Sequence, residues 1–164
     1  MPTEGYKEYL DIICNFGKGF KHLDNFRRNM LMAYVWRARP IQTDVAKYLL
    51  EQGNDAAHTD SDGCTCLHHA AYNPQVTLDN FQLLMSNGAD IRKINSTGAN
   101  VLMIYLQHKK PLGRPMIEFM LGHDLRTGQT DTEGCSLLHY AAMNNTCTGD
   151  ILKLLITSGA DINL

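Results

Sequence analysis

The sequence predicts an all-α solenoid of about four stacked helix–turn–helix repeats behind an N-terminal capping helix. Two near-copies carry that expectation: Asp62-Gly63-Cys64-Thr65-Cys66-Leu67-His68-His69-Ala70-Ala71 and Glu133-Gly134-Cys135-Ser136-Leu137-Leu138-His139-Tyr140-Ala141-Ala142. Each is followed by a glycine-ended run, Asn87-Gly88-Ala89-Asp90-Ile91 and Ser158-Gly159-Ala160-Asp161-Ile162. Self-similarity at a period of roughly 33 residues belongs to units that bury their apolar faces only by stacking on one another.

Each element of the second repeat has a local reason. Asp62-Gly63 is a turn signal, because glycine tolerates the positive φ of a tight turn. Thr65 is placed to cap the next helix with its hydroxyl. Leu67, Ala70 and Ala71 share one helical face, and the two alanines allow a neighbouring helix to come close. Asn73-Pro74 ends that helix, since the residue before proline leaves the helical region. Leu78 to Ser86 reads as a second amphipathic helix stopped by Gly88, and Gly88 to Gly98 returns the chain as a finger-like turn.

The fourth repeat, Asp131 to Asn163, matches as closely. The first and third are degenerate but resemble one another: Asn29-Met30-Leu31-Met32-Ala33-Tyr34-Val35 beside Asn100-Val101-Leu102-Met103-Ile104-Tyr105-Leu106. Both continue through a basic stretch with a proline (Arg37-Ala38-Arg39-Pro40; Lys109-Lys110-Pro111) into an apolar helix. Stop glycines are expected at 53, 88, 122 and 159. The boundaries follow: a capping helix in residues 1–24, where Tyr6, Tyr9, Leu10, Ile13 and Phe16 fall at helical spacing, then repeats at about 25–60, 61–95, 96–130 and 131–164. Arg27 stands where a turn glycine is expected, so the finger of the first repeat is left unassigned. The chain stops at Leu164 with no polar closing repeat. A longer protein that continues beyond it, or self-association through the uncapped fourth repeat, is the expected consequence.

Composition narrows the function classes. The 164 residues carry a net charge of −2 and an ordinary charged fraction of 20%. Residues 1–50 hold eight Lys/Arg against five Asp/Glu, residues 51–164 seven against twelve. Neither half is basic enough to expect nucleic acid. No apolar run is long enough for a membrane span, and no signal-peptide pattern opens the chain. Five cysteines, an odd count, suit a reducing compartment better than a disulfide framework. The sequons at Asn95 and Asn144 carry little weight without a secretion signal.

Two constellations suggest chemistry. Cys64, Cys66, His68 and His69 are zinc-type ligands, but their spacing lacks a second pair to complete a tetrahedral shell. Cys64 with His68, or Cys135 with His139, has the composition of a thiol nucleophile and base. Thr59-Asp60-Ser61-Asp62-Gly63 lacks the spaced ligands and terminal glutamate of a calcium loop. No phosphate loop or nucleophile elbow is present. The expectation is therefore no enzyme, no metal and no cofactor, set against the alternative of a metal- or thiol-dependent enzyme.

The helix–turn–helix–finger unit resembles the ankyrin repeat, whose pattern reads approximately D-x-x-G-x-T-P-L-H-x-A-A followed by a helix and G-A-D-x-N. The resemblance makes Gly63, Thr65 and His68, and Gly134, Ser136 and His139, structural joints, with each histidine ring bonding the finger turn. It implies a protein-binding role. Contacts in that family come from finger tips and from the exposed face of the first helix. Carried onto this chain, the helix positions are Trp36 and Arg37, Tyr72 and Asn73, Gln107 and His108, Met143 and Asn144. The finger positions are Ser61, Asp62 and Cys64; Ser96, Thr97 and Ala99; Thr132, Glu133 and Cys135. Of these, Asp62, Thr97 and Glu133 are the expected tip contacts. By register, Trp36 projects into the concave groove beside Arg37 and Arg39, although a one-residue slip would turn it into the core.

The degenerate units, with an L-x-x-Y-L core and extended inter-helix loops, are similar to the ankyrin repeats of poxvirus proteins. That resemblance implies a host-cell cytoplasmic protein that binds a host factor and blunts antiviral or inflammatory signalling, thereby setting host range. Nothing here resembles the F-box-like segment with which many such proteins recruit a ubiquitin ligase. The alternative within the binding class is a cellular or bacterial-effector ankyrin adaptor.

Overall fold

The computed structural model describes residues 19–107 and 111–164. The expected capping helix falls largely outside the described residues, as does His108. Among the described residues there are eight helices and no sheet: α1 (Met30–Arg37), α2 (Thr43–Glu51), α3 (Cys66–Tyr72), α4 (Leu78–Ser86), α5 (Val101–Gln107), α6 (Arg114–Leu121), α7 (Leu137–Met143) and α8 (Gly149–Thr157). The odd-numbered helices form an inner row in which α1 packs on α3, α3 on α5 and α5 on α7. Each of α2, α4 and α8 lies against the inner helix that precedes it. The core runs continuously through the stack, from Leu31 and Val35 through Leu67, Ala70 and Ala71 to Leu102, Leu106, Leu137 and Ala141.

Four fingers precede the inner helices, at residues 24–28, 60–64, 95–99 and 131–135, and all are built the same way. In each, the first residue's side chain accepts backbone N–H groups two and four residues on: Asp24 from Phe26 and Arg28, Asp60 from Asp62 and Cys64, Asn95 from Thr97 and Ala99, Asp131 from Glu133 and Cys135. An Asx turn of this kind satisfies donors that the reversing backbone cannot satisfy itself. The fourth residue takes positive φ, as Gly63, Gly98 and Gly134 do at 70°, 77° and 80°. Arg27 does so too, at 60°. The first repeat thus has a complete finger despite lacking the glycine. Successive fingers are laced by backbone bonds from Ser61 N–H to Phe26 O, Ser96 to Asp62 and Thr132 to Thr97, at 2.8–2.9 Å.

The alternation between regular and degenerate repeats has a physical content. Repeats two and four cap their inner helix with a hydroxyl–histidine box: His68 Nδ1 accepts the Thr65 N–H at 3.1 Å, and His139 Nδ1 accepts that of Ser136 at 3.2 Å. Repeats one and three use asparagine instead, with Asn29 and Asn100 accepting from Met32 and Met103. Their amide groups then donate onward to Asp55 O and Arg126 O. Where regular repeats have Ala70 and Ala141, degenerate ones have Tyr34 and Tyr105, whose hydroxyls accept the N–H of Gln42 and Gly113 in the inter-helix loop. Each device recurs 71 residues later (29 and 100, 34 and 105, 65 and 136), so the working unit is a pair of repeats.

One expected stop is corrected by the structure. Gly122 is helical (φ −69°), and the left-handed residue that turns the chain out of the third repeat is Asp124 at φ 54°. It lies 71 residues after Gly53, and aspartate is among the few residues that tolerate this region. Gly122 lies two residues too early to do this. The outer end of repeat four presents Met143, Ile156, Ile162 and Leu164 as exposed apolar side chains.

The finger geometry predicts opposite effects at equivalent positions. Gly63→Ala should destabilise by more than the roughly 1–2 kcal/mol of a left-handed alanine, because its Cβ would also meet Ser96 N at 3.1 Å. Gly134→Ala faces open space and should cost only the backbone penalty. Arg27→Gly should stabilise by about 0.5–1 kcal/mol, relief of strain being offset partly by a more flexible unfolded chain. Urea unfolding midpoints of the three variants check the order.

Candidate partner-binding groove

The inner helices and fingers enclose a concave groove of about 860 Å³ that spans all four repeats. Two register rows of the inner helices form its floor and wall. The floor carries His69, Ile104 and Tyr140, and the wall carries Trp36, Tyr72 and Gln107. The finger tips Phe26, Asp62, Thr97 and Glu133 form the opposite rim.

The floor is held by two buried or half-buried hydrogen bonds that repeat the same geometry. His69 Nε2 meets Asp60 Oδ2 at 2.8 Å, and the Tyr140 hydroxyl donates to Asp131 Oδ2 at 2.6 Å. In both, a finger aspartate turns one oxygen to its own backbone and the other to the inner helix. Burial pushes the His69 pKa down even though Asp60 favours its charged form. Burial acts against ionisation of Asp131, but bonds from the Tyr140 hydroxyl and the backbone N–H groups of Cys135 and Glu133 prevail and hold its carboxyl below the usual range.

Trp36 is half-buried and marks the repeat-one end. The guanidinium groups of Arg37 and Arg28 lie 4.5 and 4.9 Å from its ring centroid, and the His69 ring lies 6.3 Å away. The cationic partner beside Arg37 is thus Arg28, held by Asp24 at 2.6 Å, and not Arg39, which the groove lining does not include. The turn at Arg27 swings Arg28 to the position occupied by Cys64 in the second finger.

Of the residues expected to contact a partner, Trp36, Arg37, Tyr72, Gln107, Asp62, Thr97 and Glu133 line this groove together. Asn73 and Asn144 do not, and the expectation that they are presented to a partner is corrected: they are 0% and 3% exposed. Asn73 Nδ2 donates to Val35 O and Ala38 O at 2.8 and 2.6 Å, and Asn144 Nδ2 donates to Leu106 O at 2.9 Å. Each satisfies carbonyls left open at the end of the preceding inner helix, which turns the side chain into the seam between repeats. Met143 is exposed but outside the groove lining. Sequence reasoning passed over Phe26, Arg28 and the floor residues His69, Ile104 and Tyr140. Alignment of Asp24 with Asp60 was the available signal for the first two, and the missing glycine concealed it.

The cysteine–histidine constellations are dispersed by the fold. Cys66 Sγ donates to Ala56 O, His68 is engaged by Thr65 and by Ala99 O, and His69 by Asp60. Among the described residues no three Cys, His, Asp or Glu side chains come together as a metal would require. Burial pushes the thiols of Cys64 and Cys66 up to about 11 and 12, so neither supplies thiolate at neutral pH. Slight desolvation and the charges of Asp131 and Glu133 raise Cys135 as well. No helix among the described residues is long and apolar enough to cross a membrane.

A stack of helical repeats with fingers on one side and a polar concave groove is the form of a protein-interaction scaffold. A family profile described as ankyrin repeats (3 copies) matches residues 3–95 and 77–164, and the chain belongs to the ankyrin-repeat family. It is similar to an ankyrin repeat protein of fowlpox virus (strain NVSL), 31% identical over 140 residues that make up 84% of this chain and 39% of the viral protein. It is also similar to an intracellular phospholipase A2 of Caenorhabditis elegans, 25% identical over 151 residues, 90% of this chain and 14% of that enzyme. The chain therefore spans well under half the length of either relative.

The joints of the groove carry a pH dependence. Burial lowers the His68 pKa from 6.5 to about 4, with the bond to Ala99 opposing it. The folded state then refuses a proton that the unfolded chain accepts below pH 6.5. Stability is full above that pH, is lost progressively between 6.5 and about 4, and falls no further on this account below 4. The loss is at most about 3 kcal/mol. His68→Gln should lower the urea midpoint at neutral pH and flatten its decline across that window.

Proposed function

We propose that this protein is a viral scaffold that captures a host protein in the concave groove and so counters innate immune or inflammatory signalling, without catalysis of its own. The observation that carries the capture is the convergence of Trp36, Arg37, Tyr72, Gln107 and the three finger tips on one continuous groove. Tryptophan, tyrosine and arginine are the side chains that dominate interface energetics. The viral setting and the host-cell cytoplasm draw on the similarity to the fowlpox ankyrin repeat protein. A cellular adaptor is the second reading, favoured by the nematode relative.

Affinity capture from uninfected host-cell lysate with the full chain tests the proposal. A signalling protein retained by the wild type and lost with Trp36→Ala supports it. A return of chaperones alone, or of a cytoskeletal or housekeeping partner, removes the immune reading. Two substitutions should separate binding from folding. Trp36→Ala should weaken the captured complex by more than tenfold, roughly 2 kcal/mol, and leave the melting transition cooperative. Asn73→Ala should do the reverse, lowering stability by about 1–3 kcal/mol through the unsatisfied carbonyls with little change in affinity once folded. Calorimetric binding and thermal melting of both variants check this.

A further inference from the structure

We propose that the groove receives an extended, charge-polarised segment of the partner, with a carboxylate against Arg37 and Trp36 and cationic side chains facing Asp62 and Glu133. This deepens the reading of the groove as the capture surface and rests on it.

The charges are sorted along the groove. Among the described residues, repeat one contributes only cations to the lining, Arg28 and Arg37, and repeat three contributes no charged group. The charged groups that the described residues of repeats two and four contribute are the carboxylates of Asp60, Asp62, Asp131 and Glu133. The floor carboxylates of Asp60 and Asp131 are engaged by His69 and Tyr140. Asp62 and Glu133 are exposed at finger tips, and no cation among the described residues pairs with either. Arg28 is tied to Asp24, whereas Arg37 is exposed and no described carboxylate pairs with it. A guanidinium resting on the Trp36 ring keeps its N–H edge free for two-pronged bonding to a carboxylate. Burying such groups against a neutral partner would leave them desolvated without a counter-charge, which is unfavourable. Complementary charge is therefore what the groove selects.

Spacing sets the form of the segment. Asp62 and Glu133 belong to fingers two repeats apart, and packed helices lie 8–10 Å from one another, so the two carboxylates are roughly 16–20 Å apart along the groove. An extended chain covers that distance in about five to six residues. A helix would need about twelve, so the spacing of the basic residues distinguishes the two forms.

Selection of ten-residue peptides from a random display library on the full chain tests this, with binding read by the fluorescence of Trp36, the one tryptophan in the sequence. Enriched peptides should carry an acidic residue at one end and two basic residues about five to six positions apart. Asp62→Lys and Glu133→Lys, both at exposed tips, should each weaken the selected peptide by tenfold or more. Arg37→Glu should do the same, and replacing the peptide's acidic residue by lysine should restore its binding to that variant. Binders without charge polarity that still shift Trp36 fluorescence would overturn the polarity and leave the groove as the capture surface. Binders whose calorimetric affinity is unchanged by Trp36→Ala, a variant with no tryptophan left to report, or no binders at all, would overturn both.

Discussion

Buried side chains that reach across to a neighbouring repeat's backbone hold this molecule in register. His68, Asn73 and Asn144 each bond a carbonyl of the neighbouring repeat, 31 to 38 residues away. A buried carbonyl without a donor costs more than a typical hydrogen bond returns, so each of these contacts fixes one repeat against the next in a single position. The finger ladder does the same on the other side of the stack. Apolar packing between α1, α3, α5 and α7 supplies most of the driving force, but it is non-directional. The polar joints give the solenoid its register, and the groove inherits its shape from them.

The groove is a by-product of that register with its own chemistry laid over it. The finger carboxylates of Asp60 and Asp131 have one oxygen committed to their own turn and one to the floor. What remains for a partner are the tips and the wall. Their charges differ from repeat to repeat at the tip residue, two beyond the Asx-turn residue, where Thr97 bonds the turn through Asn95 and Asp62 and Glu133 are exposed. Specificity can vary there without disturbing the stack.

The cysteines and histidines that first suggest a metal or a nucleophile belong to the joints. His68 lies at the heart of a capping box, with its far nitrogen 3.3 Å from Ala99 O. The same depth that makes it a good joint makes it a poor base, and the burial that protects Cys66 keeps its thiol protonated. Membership in the ankyrin-repeat family, whose fold is a protein-interaction module, accords with this division of labour.

The sequence by itself determined the repeat period, the all-α class, the hydroxyl–histidine caps and the second helix at 78–86. These are local matters of turn chemistry, capping and apolar spacing, and each is legible within a dozen residues. It also named ten of the residues that line the groove. Tertiary structure decided the rest. Asn73 and Asn144 occupy helix ends whose open partners lie in the preceding repeat, so nothing nearby in sequence shows that they turn inward. Arg28 reaches Trp36 only because Arg27 accepts a left-handed turn that glycine would ordinarily mark. Asp124 replaces Gly122 as the stop for a similar reason. The sorting of charge along the groove appears only once residues from all four repeats are brought side by side, because each repeat alone offers too little of it to read.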